Sequence, residues 1–86
     1  MTIDLQQTCT PAELHALLQE RLEFPAWYGG NWDAFWDAIT GLVEMPSEVR
    51  LVGWQNLAAA YPHDIAILRE LAAEYTQPGR CLVLAG

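Results

Sequence analysis

Apolar and polar positions along this chain change period several times, and each change marks an element. From Met1 to Gln6, Ile3 and Leu5 alternate with polar neighbours, the period-two pattern of a short strand. Thr10-Pro11-Ala12-Glu13 is a helix start, with Thr10 as N-cap, Pro11 in the first turn and an acid three residues after the cap. Leu14, Leu17, Leu18 and Leu22 then recur at helical spacing until Phe24-Pro25 stops the helix near Glu23. Tyr28-Gly29-Gly30-Asn31 reads as a turn, with Asn31 capping a second helix that runs to about Val43. Met45-Pro46-Ser47 breaks the chain, and Glu48 to Gly53 alternates like a strand. Trp54 to Tyr61 reads as a short helix closed by Pro62, and Pro62-His63-Asp64 opens a longer one through Tyr75. After the Gln77-Pro78-Gly79 stop, Arg80 to Ala85 is expected to be a final buried strand.

Strand, helix, helix, strand, helix, helix, strand is the resulting order. Short apolar strands joined by helical crossovers imply an α/β fold, with a three-stranded parallel sheet, about four helices packed on it and right-handed connections. Eighty-six residues, with no repeat and no linker, predict a single domain over 1–86.

Composition narrows the function. Hydrophobic residues make up 52% of the chain, enough for a core. Eleven acids stand against four arginines and no lysine, for a net charge of −7. Direct nucleic-acid binding is disfavoured, because phosphate contacts need clustered basic side chains, and a basic partner is favoured instead. The first ten residues carry neither a basic start nor an apolar run, and no stretch approaches a membrane span, so a cytoplasmic protein is expected. Cys9 and Cys81 form no CxxC pair. Free thiols in a reducing compartment are the expectation, and the spacing leaves a mutual disulfide open.

At about 100° per residue, Trp32, Phe35, Ile39, Leu42 and Val43 fall on one arc of the second helix, which is expected to face the core. Asp33, Asp37, Thr40 and Glu44 gather on another arc, with Trp36 at the boundary. Like charges four apart repel along a helix, a cost Asp33 partly recovers near the helix N-terminus, so the Asp33/Asp37 pair reads either as a solvated acidic face or as a pair kept for something other than helix stability. The last helix repeats the design: Ile65, Leu68, Leu71, Ala72 and Tyr75 form an apolar arc, with Glu70 and Glu74 stacked on the other side. With the two helices side by side, all four acids would converge on one edge rimmed by Trp27, Tyr28 and Trp36. Carboxylates that pair with arginine, beside aromatics that give contact area at low entropy cost, suit the basic cleft of a nuclease.

The stretch WYGGNWDAFWDAITG, residues 27–41, resembles the core motif of the barstar family, the intracellular inhibitors of barnase-like bacterial ribonucleases. The resemblance extends upstream through the helix carrying His15 and through Pro25, and downstream to Val43-Glu44 and Leu68-Arg69-Glu70. It implies a barstar-like fold and a 1:1 complex with a basic, barnase-like ribonuclease, with no cofactor, no metal and no catalytic residue. By the resemblance, Asp37 is the central anchor, standing in for a substrate phosphate before the nuclease's arginines, and Asp33 is a second acidic contact. Trp27, Tyr28, Gly29, Asn31, Trp36, Thr40 and Gly41 fall on or beside the contact surface. Glu70 matches the acid supplied by the last helix, and Glu74 matches a further acid more loosely. Gly30 stands where the family prototype has an acid, Trp27 where it has tyrosine, and the segment between the second strand and the last helix is shorter.

Two other readings fit parts of the pattern. Paired carboxylates can act as general acid and base, but these lie on one exposed helix, and there is no phosphate-cradling glycine loop, GxSxG or HExxH. His15 and His63 have no metal-ligand spacing; His15 reads as a half-buried helix residue and His63 as part of a helix start. The alternative is a barstar-like acidic adaptor for a different basic protein or toxin, which a salt-insensitive complex would favour.

Overall fold

The computed structural model describes residues 1–86. Three strands, β1 (Thr2–Asp4), β2 (Glu48–Val52) and β3 (Cys81–Leu84), form a parallel sheet in the order β1-β2-β3. Register pairs Ile3 with Leu51 and Leu51 with Leu84, so the apolar position of each strand lies in one row. Four helices join the strands: α1 (Pro11–Leu22), α2 (Trp32–Asp37), α3 (Gln55–Ala60) and α4 (Pro62–Tyr75). The α/β architecture expected from the pattern is the one observed.

Strand alternation shows where the helices lie. Ile3, Leu5, Val49, Leu51 and Leu82 are buried, while Thr2, Asp4, Glu48 and Arg50, on the opposite side of the pleat, are exposed. The buried row joins Leu14, Leu18 and Leu22 of α1, Phe35 of α2, Leu57 of α3 and Ile65, Leu68, Ala72 and Tyr75 of α4 in one core. All four helices therefore cover the same face of the sheet. A parallel sheet is more often covered on both faces. Here polar side chains on three short strands leave the other face to solvent.

Start and stop signals act as read. Thr10 accepts from the Glu13 amide at 3.2 Å, and α1 ends on Glu23, whose φ of 59° puts a non-glycine residue in the left-handed region. Gly53, at φ 70°, turns the chain out of β2, and a Cβ there would lie 2.5 Å from an Asp4 carboxylate oxygen and 2.8 Å from the Gln6 amide nitrogen. Only glycine fits that crossing.

Two expectations about α2 and β3 fail. Leu42, assigned to the core arc, is 46% exposed. The reason is that α2 passes directly into a π-helical turn over Ala38–Leu42, closed by the Val43 amide on the Ala38 carbonyl at 3.2 Å. An i→i+5 turn is wider than an α-turn and rotates later positions out of phase, so Ala38 and Ile39 take the core and Leu42 swings outward. The final strand is also not fully buried. Only Leu82 of β3 is, because β3 is an edge strand with one covered face.

Candidate functional site

The acid-bearing part of α2 begins at a well-made cap. Asn31 accepts the Ala34 amide at 2.8 Å through its side-chain oxygen, which fixes the first turn and carries Asp33 near the positive end of the helix. Phe35 anchors the opposite side, fully buried and edge-on to Trp32 and Phe24. Six residues would not hold a helix alone. Tertiary packing presents the acids.

Asp33 and Asp37, with Trp32 and Trp36, form one wall of a cleft of about 400 Å³ whose other wall is Ile67, Leu71 and Glu74 of α4. The structure thus brings Asp33, Asp37 and Glu74 around one opening, with half-buried Trp36 between them. Glu70 is exposed on α4 but does not line the cleft. Asp37 also borders a second hollow of about 330 Å³, lined by Pro25, Trp27, Tyr28, Ala34, Gly41 and Leu42. Trp27 is 72% exposed, so its ring is a free contact surface at the rim. Gly29 and Gly30 lie on the far side of the loop, against His15. Thr40 turns its hydroxyl to the Trp36 carbonyl at 2.6 Å, within the passage from α-helix to π turn.

No arginine lines either hollow. Arg69 lies over the Trp54 ring, and Arg80 lies over Tyr75 while donating to its carbonyl. Arg21 reaches the Thr2 carbonyl, and Arg50 is on the open sheet face. The acids at the cleft therefore have no arginine of the chain beside them.

Behind the loop lies a polar support that the sequence did not announce. His15 is 4% exposed rather than half-buried, with its Nδ1 2.6 Å from the Tyr28 hydroxyl. Burial lowers the His15 pKa, opposed by the nearby Asp64 charge, and burial pushes the Tyr28 hydroxyl well above its usual range. A neutral imidazole accepting from a phenol suits both shifts. Trp32, expected in the core, is only half-buried, and its indole N–H donates to Asp64 at 3.0 Å. Ile67 also escaped notice as a cleft residue, although Ile67, Leu71 and Glu74 share the i, i+4, i+7 stripe that could have flagged it.

Other features bear on the remaining expectations. Cys9 and Cys81 are free thiols, so the mutual disulfide left open by their spacing is not formed. No three His, Cys, Asp or Glu side chains are grouped to hold a metal ion, and no helix is long and apolar enough to cross a membrane.

Comparison with known proteins gives two findings. A family model described as "Barstar (barnase inhibitor)" matches residues 1–83. A protein of Bacillus subtilis (strain 168) named "Putative ribonuclease inhibitor YrdF" is 34% identical over 64 residues, which is 71% of this chain and 70% of that protein.

Proposed function

The chain belongs to the barstar family, and from that premise we propose that it inhibits a barnase-like microbial ribonuclease by occupying the enzyme's basic active site in a 1:1 complex. It is an inhibitor and not an enzyme: the carboxylates act by charge and shape, and no bond is made or broken. Asp37 is the anchor, because it alone borders both hollows. There its carboxylate takes the place of a substrate phosphate and pairs with arginine. Asp33 and Glu74 flank it, Trp36 gives the cleft a flat wall, and Trp27 and Tyr28 cover the neighbouring hollow. Asn31 caps the helix that carries these groups, Gly29, Thr40 and Gly41 lie on or beside the contact surface, and exposed Glu70 adds charge at the rim. The natural setting for such an inhibitor is the cytoplasm of a bacterium that makes the nuclease.

The observation that supports this reading best is the meeting of three acids and two tryptophans around one cleft that no basic side chain of the chain itself lines. A cleft of that charge steers a positive partner and discriminates against nucleic acid. The test is an RNA-cleavage assay with a barnase-like ribonuclease and increasing amounts of this protein. Activity should fall to nothing near one equivalent. Undiminished cleavage at large excess would contradict the proposal.

A further inference from the structure

Four side chains link α1, the Tyr28 loop, α2 and α4 behind the proposed contact surface. Asp64, in the first turn of α4, accepts the indole N–H of Trp32 at 3.0 Å. Trp32, the first residue of α2, packs its ring on His15 of α1, with centroids 4.3 Å apart and planes inclined by 54°. His15 meets the Tyr28 hydroxyl at 2.6 Å, and Tyr28 belongs to the loop at the second hollow. Trp32 and Tyr28 each border a hollow, whereas Asp64 borders neither. Asp64 therefore sits behind the surface rather than on it.

The link matters because of how short α2 is. Its six residues lead straight into the π turn, and a helix of that length does not fix its own direction. Phe35 is its one fully buried residue, with Trp32 and Trp36 packed partly buried beside it, and apolar packing of this kind is not directional. The Trp32–Asp64 hydrogen bond adds a directional tie between the N-terminal ends of α2 and α4. Those two helices carry Asp33 and Asp37 on one wall of the cleft and Glu74 on the other.

We propose that Asp64 is a positioning residue for partner recognition: by holding the Trp32 indole it sets the splay of α2 against α4, and with it the spacing of Asp33 and Asp37 from Glu74. This rests on the reading that the cleft binds a ribonuclease. The role belongs to an acceptor oxygen at a fixed place, not to the negative charge of Asp64. Asparagine keeps that oxygen, so the two are separable.

The experiment compares the parent with Asp64→Ala, Asp64→Asn, Trp32→Phe and the Asp64→Ala/Trp32→Phe double variant. Each is titrated into a catalytically inactive barnase-like ribonuclease, and the α2–α4 angle of the free protein is measured by NMR residual dipolar couplings. Asp64→Ala should weaken binding by about tenfold, the size of effect expected from a residue acting through its neighbour. Asp64→Asn should bind within about twofold of the parent, since an amide oxygen still accepts from the indole. Asp64→Ala should cost little further affinity in the Trp32→Phe background, because both changes remove the same bond. The free Asp64→Ala protein should show a changed α2–α4 angle while Asp64→Asn does not. Asp64→Ala binding as tightly as the parent, or Asp64→Asn binding as weakly as Asp64→Ala, would overturn the proposal. If the parent itself failed to bind, the ribonuclease reading would fall, and the angle measurement would still decide: an unchanged angle in Asp64→Ala would overturn the positioning role.

Discussion

Two acidic pairs with the same spacing lie on neighbouring helices, Asp33/Asp37 on α2 and Glu70/Glu74 on α4, and the fold treats them differently. Both residues of the first pair line the cleft; only Glu74 of the second does. The first pair is carried by six residues of helix, held from behind by buried Phe35 and from the side by Trp32, and followed by a π turn. The second rides on fourteen residues of regular helix, with the acids stacked along its exposed side. An i, i+4 acid pair thus specifies which stripe of a helix is charged. How the helix is seated on the core specifies which of the two acids faces a neighbour.

The largest effect should come from undermining the seat of the first pair. Phe35→Ala should cost about 3–5 kcal/mol of folding stability, the range for a fully buried aromatic, read by urea unfolding. Near-parental stability would show that α2 is not held by its core side. Next in size, Asp37→Ala should cost more than about 2 kcal/mol of binding to a barnase-like ribonuclease, as interface hot spots do, and leave the melting temperature close to parental. Glu74→Gln should fall between, near about 1 kcal/mol, and Glu70→Gln should stay within about 0.5 kcal/mol, as exposed rim charges do. Calorimetry on the two variants side by side checks this, and equal losses would erase the distinction between the glutamates. Smallest of all, Asp33→Asn should change folding stability by less than about 0.5 kcal/mol, since it relieves one repulsion and weakens one favourable helix-end charge.

The support behind the loop adds a pH dependence. His15 is held neutral, with its folded pKa below the unfolded value of about 6.5. Below that pH the unfolded chain binds a proton that the folded chain resists, so stability is fully present above about 6.5 and declines as pH falls. Asp64, which favours the charged imidazole, moderates the decline, and the Tyr28 hydroxyl, held neutral by burial, stays a phenol throughout. Replacing His15 with Gln should flatten the profile of unfolding free energy between about pH 7 and pH 5, where the imidazole charge changes. A parental slope in that variant would assign the dependence to other groups.

Most of the architecture was legible along the chain, because its punctuation is strong. Thr10-Pro11, Asn31 and Pro62 each mark a cap or helix start with a local physical cause, and alternation in β1 and β2 named the buried side of the sheet. Leu42 was misplaced because nothing at Ala38–Leu42 distinguishes a π turn from an α-turn by period alone. The separation of Glu74 from Glu70 depends on where α4 lies relative to α2, a tertiary fact with no local signal. The Trp32–Asp64 bond likewise spans 32 residues of sequence. His15 looked like a half-exposed helix residue because its partner, Tyr28, lies in a loop whose course the pattern did not fix.

The measurement that tests the central claim most directly is calorimetric titration of this protein into a catalytically inactive barnase-like ribonuclease at low and moderate salt. Recognition through the Asp33, Asp37 and Glu74 cleft predicts a tight 1:1 complex that weakens as salt screens the attraction. No binding, or an affinity indifferent to salt, would contradict it.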